Sequence, residues 1–101
     1  MKQIHSAVII GMKWFDRANG NTYHVTRIYI NGRDTVFNSP IEYGYGTAYM
    51  TTAAETAINH GYSRDNMSRN DLREWLNHNA IIEEMKVTKT ELKKAGDNKC
   101  F

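Results

Sequence analysis

The side chains best suited to chemistry in this chain are four histidines, eleven carboxylates and one cysteine. His5, His24, His60 and His78 lack the His-x3-His spacing that places two imidazoles on one metal ion, and Cys100 lies far from all of them along the chain. We therefore predict neither a metal site nor a cofactor. His24 is expected to be a half-exposed strand residue, and His60 to lie at a helix C-terminus, where an imidazolium is mildly favoured.

Acid–base catalysis would need carboxylates or a histidine brought together in a cleft, and the candidates are Glu42, Glu55, Asp71 and Glu74. Nothing in their spacing requires them to converge, and solvated helix faces explain their positions. The chain also lacks the Gly-x-Ser-x-Gly elbow, the phosphate-binding loop and the dinucleotide fingerprint. We predict a protein without catalytic residues that is not an enzyme.

The most unusual stretch is Tyr43-Gly44-Tyr45-Gly46, followed by Thr47. Glycines just before a helix can adopt positive φ, and successive backbone N–H groups there can form an anion-binding concavity backed by the helix dipole. A minor hypothesis is therefore a small enzyme acting on a phosphorylated ligand at this point. The competing interpretation is that the glycines only let a strand turn into a closely packed helix, with one tyrosine inside and the other outside.

Aromatic and cationic side chains are dense around this stretch, and Tyr23, Arg27, Tyr29 and Arg33 precede it within about twenty residues. Tyrosines with neighbouring arginines on a sheet can stack on nucleic-acid bases. They equally suit a protein interface, where Tyr and Arg carry much of the binding energy. Because the net charge is only +2, we rank a protein partner above a nucleic acid.

The spacing of apolar residues predicts strands in the first half of the chain. A continuous apolar run indicates a first strand over residues 4–15, and two Asn-Gly pairs, at residues 19–20 and 31–32, are typical of tight hairpins. The predicted product is a three-stranded antiparallel meander with residues 22–31 in the middle and 33–38 in the third strand. Because both sides of the first strand are apolar, a second copy of the chain is expected to cover one of them, and we predict a homodimer.

From Thr47 the hydrophobic period changes from two to 3.6 residues, which predicts a helix with its exposed side at Thr51, Thr52, Glu55, Thr56 and Asn59. A second helix opens at Ser68. Residues 81–88 suit either a helix or an edge strand, and we favour a fourth strand, followed by a short helical turn over residues 89–94. The predicted fold is a single α+β domain over residues 1–101, frayed at 95–101.

Length and composition agree with an ordinary globular domain, with one cysteine and no apolar run of 18 residues. A reducing cytoplasm is the expected location, with no membrane association. The absence of a charged start followed by an apolar core also argues against a secretory leader.

Trp14-Phe15 followed by Gly20-Asn21-Thr22-Tyr23-His24, and then Tyr43-Gly44-Tyr45-Gly46, resemble a pattern found in small phage and prophage accessory proteins of unassigned function. The resemblance covers roughly residues 12–60. It implies a viral accessory protein that binds and inhibits a host protein in the host cytoplasm, for example an anti-defence or anti-CRISPR inhibitor. The resemblance implies no active-site residues. The alternative is a small nucleic-acid-binding module that uses the sheet tyrosines and arginines.

Overall fold

The chain folds as a mixed α+β structure, which confirms the predicted fold class. The computed structural model describes residues 1–96, so the part of the predicted frayed tail beyond residue 96 lies outside the described residues. The strands are β1 Lys2–Gln3, β2 Ala7–Asp16, β3 Asn21–Ile30, β4 Val36–Asn38, β5 Glu42–Tyr43, β6 Tyr62–Ser63 and β7 Ile81–Lys86. The helices are α1 Ala48–Asn59, α2 Arg69–Asn79 and α3 Lys89–Ala95.

The main sheet has the strand order β4-β3-β2-β7, and β5 pairs with the start of β3. β2 and β3 form a ten-residue antiparallel hairpin in which Ala7 pairs with Ile30 and Asp16 with Asn21. β7 pairs in parallel with β2, because α1 and α2 return the chain to the starting end of the sheet before β7 begins. β1 and β6 form a separate parallel pair.

Two predicted strand boundaries are wrong for local reasons. The first strand begins at Ala7 and not at residue 4, because the Asn31 side chain accepts hydrogen bonds from the backbone N–H groups of His5 and Ser6. The third strand begins at Val36 and not at residue 33. Asn31 and Gly32 both have positive φ (56° and 123°), so the turn occupies the residues that the prediction gave to the strand.

The side of the sheet that α1 covers, here called the front face, carries the larger core. Alternation along the strands places Ile9 and Gly11 of β2 with Ile28 and Ile30 of β3 on this face. The Tyr49 ring lies so close to Gly11 that a Cβ added there would be 2.6 Å from its carbons. The prediction that Thr52 and Thr56 lie on the exposed side of this helix is wrong, because both are buried. The remaining buried members of this cluster are Ile4, Ala7, Met50, Ala53, Ala54, Ala57, Leu72 and Leu76.

The opposite side, here called the rear face, is covered in part by α3 of the same chain. Leu92 is fully buried against Met12 and Val25. A capping box fixes the start of α3, since the Thr88 hydroxyl accepts from the Glu91 N–H and the Glu91 carboxylate accepts from the Thr88 N–H. These bonds with Thr88 also hold the pKa of Glu91 below its usual value. Ala95, the first residue of the predicted frayed tail, is the last residue of α3.

None of the helices within residues 1–96 is long and apolar enough to cross a membrane.

Candidate interaction surface

The stretch from Tyr43 to Thr47, here called the tyrosine turn, leads from β5 into α1. Gly44 has φ 156° and Gly46 φ 63°. The Gly44 N–H donates to the Thr22 carbonyl at 3.0 Å, which attaches the turn to the start of β3. A Cβ added to Gly44 would lie 2.8 Å from the Ala48 Cβ. Glycine is therefore required at this position because the turn and the first residue of α1 are in close contact.

Two side chains from the front face hold the carbonyl groups of the turn. His24 Nδ1 donates to the Gly44 carbonyl at 3.2 Å, and Lys13 Nζ donates to the Gly46 carbonyl at 3.2 Å. Lys13 also forms an ion pair with Glu84 of β7 at 2.8 Å. The turn is therefore fastened to β2, β3 and, through Lys13, to β7.

His24 is 2% exposed, so the expectation of a half-exposed strand residue is wrong. Because a carbonyl oxygen can only accept, Nδ1 carries the proton and Nε2 accepts from the Thr52 hydroxyl at 2.6 Å. Burial lowers the pKa of His24, and the nearby Lys13 charge acts in the same direction, whereas the bond to Gly44 opposes the shift. A neutral imidazole therefore links α1 to the tyrosine turn.

Tyr43 and Tyr45 both point into solvent, with exposed fractions of 62% and 75%. The competing interpretation of the turn is wrong in placing one of these tyrosines inside. Tyr43 meets Tyr23 edge to face at 5.7 Å between ring centroids, and Tyr23 stacks on Trp14 at 5.8 Å. The Lys89 ammonium lies 5.6 Å from the centroid of the Trp14 ring. The result is an aromatic row across β5, β3 and β2 that ends at a lysine of α3.

The other predicted site residues of β3 lie beyond α3. Tyr23, Arg27 and Tyr29 share the rear face, but Val25 between them is buried under Leu92. Arg27 Nε donates to the Asn38 side chain at 2.9 Å, and Asn38 donates to the Ala95 carbonyl, so Arg27 helps to dock the end of α3.

Tyr29 and Arg33 line a groove of about 610 Å³ at the far end of the rear face, together with Val8 and Ile81. The structure thus brings Tyr23 together with the tyrosine turn and separates both from Arg27, Tyr29 and Arg33.

Three backbone N–H groups in and just after the tyrosine turn already have partners. The N–H groups of Gly44, Ala48 and Met50 donate to carbonyls of Thr22, Tyr45 and Thr47 respectively. Positive charge is present, since Arg73 Nη2 lies 3.2 Å from the Thr47 hydroxyl and 3.4 Å from its carbonyl. Arg73 Nε is buried and has no hydrogen-bond partner within the described residues.

Two of the carboxylates considered for catalysis have basic side chains nearby on the surface. Glu55 forms an ion pair with Arg69 at 2.6 Å, and Glu74 lies 3.6 Å from His78 Nε2. Within residues 1–96, no three His, Cys, Asp or Glu side chains form a group that could hold a metal ion.

Sequence inspection missed Lys13, Trp14, Thr52 and Arg73 as parts of this surface. For Lys13 a signal existed, because a lysine continues the otherwise apolar front-face series Ala7, Ile9, Gly11 of β2. For Thr52 and Arg73 there was none, because their partners are brought close only by helix packing.

Comparison of the chain with protein-family models, with curated proteins and with solved structures gave no match.

Proposed function

We propose that this chain is a non-enzymatic accessory protein that binds a protein partner through the tyrosine turn and inhibits it. The observation that carries the proposal is the pair of solvent-exposed tyrosines, Tyr43 and Tyr45, on a backbone whose carbonyl groups are held by His24 and Lys13. Tyrosine is enriched in protein–protein interfaces relative to the rest of the surface.

The physical advantage of this arrangement is preorganisation. A tyrosine has few rotatable bonds and contributes a large apolar area together with one hydroxyl, so it binds at a low entropic cost. A turn fixed at Gly44 and Gly46 loses little further backbone freedom on binding. Tyr23 and Trp14 support Tyr43 from behind, which limits the positions its ring can take.

The partner's nature follows from the resemblance of residues 12–60 to small phage and prophage accessory proteins. It points to a host protein in the host cytoplasm, such as a defence nuclease, a CRISPR effector or RNA polymerase. Blocking such a target requires a binding surface and no catalysis.

The decisive experiment compares the double variant Y43A/Y45A with the control variant F15A. Phe15 is 54% exposed, so F15A removes one exposed aromatic ring outside the tyrosine turn. A target captured from host lysate is purified, and its affinity for each variant is measured by calorimetry, with circular dichroism to verify folding. We expect Y43A/Y45A to weaken binding at least about a hundredfold, as for loss of two hot-spot residues, and F15A to change it less than about threefold. Equal affinity of the wild type and Y43A/Y45A rejects the proposal.

A nucleic-acid partner is the second candidate, and one observation favours it. Lys89 lies over the Trp14 ring at the end of the aromatic row, a cation next to stacked rings that suits single-stranded bases. The alternative predicts binding of labelled single strands that weakens with salt. Absence of a mobility shift at low salt rejects it.

A homodimer is a further part of the proposal. α3 covers part of the rear face that a second copy was expected to cover, but Val36, Ile81 and Met85 on that face stay exposed. Exposed apolar side chains of this kind are common where a protein contacts a partner.

A further inference from the structure

β7 is the edge strand of the main sheet, and no strand within residues 1–96 pairs with its outer side. The direction of its backbone groups follows from the ladder with β2. Lys13 pairs with Lys86, and the Val87 N–H donates to the Lys13 carbonyl at 2.9 Å. Odd-numbered residues of β7 therefore face β2, and the backbone groups of Ile82, Glu84 and Lys86 point outward. Such a row of outward N–H and C=O groups is a template for another strand.

Symmetry limits how a second copy can add to this edge. In an antiparallel pair, directly opposite residues lie on the same side of the sheet. A two-fold axis perpendicular to the sheet relates the two copies without exchanging the two sides of the sheet. The axis must therefore pass between one residue of β7 and the same residue of the other copy.

Charge then selects among the positions of that axis. An axis at Glu83 or Glu84 places two identical carboxylates opposite each other, which is destabilising. An axis at Ile82 leaves Lys86 without an opposite charge. An axis at Met85 places Glu84 of each copy opposite Lys86 of the other, which forms two Glu–Lys pairs.

We propose that two copies of this chain pair antiparallel through β7, with Met85 on the two-fold axis and Glu84 facing the partner's Lys86. The ladder with β2 continues to Val87, so the outward backbone groups of Glu84 and Lys86 can pair with those of the other copy, whereas the N–H and carbonyl of Thr88 are already bonded to Glu91 and Leu92. Glu84 uses its Oε1 atom for Lys13, and its second oxygen can accept from the partner's Lys86. Met85, now 49% exposed, would pack against the same residue of the other copy.

This inference rests on the homodimer in the proposed function. β7 and the tyrosine turn share the Lys13–Glu84 ion pair, and the variants M85C and E83C keep that pair and every tyrosine, so disulfide trapping is separate from the test of the tyrosine turn.

Disulfide trapping tests the position of the axis. In a C100S background, which removes the only other thiol, the variant M85C is oxidised at high protein concentration and compared with E83C. Both residues lie on the rear side of β7. With the axis at Met85 the two Cα atoms at position 85 form a non-hydrogen-bonded pair about 4.5 Å apart, within disulfide range, whereas those at position 83 are about 13 Å apart. We expect M85C to form a covalent dimer and E83C to remain monomeric.

Charge exchange tests the same register by equilibrium sedimentation. E84K and K86E should each raise the dissociation constant of the dimer at least about tenfold, because two attractive pairs become repulsive, and E84K/K86E should restore it to within about threefold. A chain that stays monomeric at every concentration overturns the inference and leaves the edge to a strand from another protein. Cross-linking of E83C in preference to M85C, or a double variant no better than the single ones, also overturns it.

Discussion

The two faces of the sheet differ in how much of the chain covers them. The front face is covered by α1, which α2 backs, and its core includes twelve buried residues. Within residues 1–96, the rear face has only the seven-residue α3, and its core has three buried residues, Met12, Val25 and Leu92. The front face therefore supplies most of the stability, and the rear face leaves side chains at both of its ends for binding.

The tyrosine turn joins these two regions. Its carbonyl groups are bonded to His24 and Lys13, which belong to the front face, while Tyr43 lies beside Tyr23 on the rear face. Because its backbone is bonded to side chains of the more stable front face, the turn can hold Tyr43 on the less stable rear face without becoming flexible.

The largest effect is expected from a cavity in the front face. Ile28 is fully buried, so Ile28→Ala should lower the free energy of unfolding by about 4 kcal/mol through lost burial and an unfilled cavity. Urea denaturation followed by tryptophan fluorescence measures this loss. A loss below about 1 kcal/mol would remove the distinction between the two faces.

A matched truncation in the rear face should have a smaller effect. Leu92 is also fully buried, yet we expect Leu92→Ala to cost about 2 kcal/mol, because a short terminal helix can detach and so avoid keeping a cavity. Native-state hydrogen exchange should show faster exchange at the N–H groups of Leu92 and Gly96, with that of Ile28 protected. Equal losses of unfolding free energy in the two variants, with faster hydrogen exchange over the whole sheet, would show that α3 belongs to the same cooperative unit as α1.

The smallest effect concerns protonation of His24. Its pKa in the folded protein is lowered by burial, while in the unfolded chain it is near the ordinary value of about 6.5. Below that pH the unfolded chain binds a proton that the folded protein resists, so the free energy of unfolding should fall from about pH 6.5 down to the lowered pKa. Carboxylates with a lowered pKa, such as Asp16 and Glu91, lose their contribution only in more acidic solution.

Unfolding curves at several pH values check this expectation, with His24→Gln as the control. Glutamine does not titrate, so the variant should lose the pH dependence in this window even if it is less stable throughout. An unchanged slope in His24→Gln would show that His24 is not the source of the pH dependence.

Much of the architecture was accessible from local patterns. The Asn-Gly pair at residues 19–20 predicts the hairpin that Gly20 closes with positive φ, and the Asp16 carboxylate stabilises the same turn by accepting from Ala18 and Asn19. The change of period at Thr47 likewise predicts α1. Signals of this kind act over a few residues, which is why they can be recognised without knowing what lies across the fold.

The candidate site was accessible only in part. Tyr43, Tyr45 and Tyr23 were singled out by their types and by the two glycines; Tyr43 does lie against Tyr23, and Tyr45 is exposed in the same turn as Tyr43. The inclusion of Arg27, Tyr29 and Arg33 assumed that they and Tyr23 share one continuous surface of the sheet. That assumption failed because Leu92, more than sixty residues away along the chain, packs on Val25 between the two groups.

By itself the sequence determined the α+β class, the hairpin turns and the glycine-dependent entry into α1, because each depends on backbone preferences of neighbouring residues. Only the tertiary structure decided that His24 is buried and neutral, that α3 divides the rear face, and that Glu84 and Lys86 stand on an open edge. These features arise from contacts between residues far apart in the chain, whose free energies depend on which side chains the fold brings within a few ångströms.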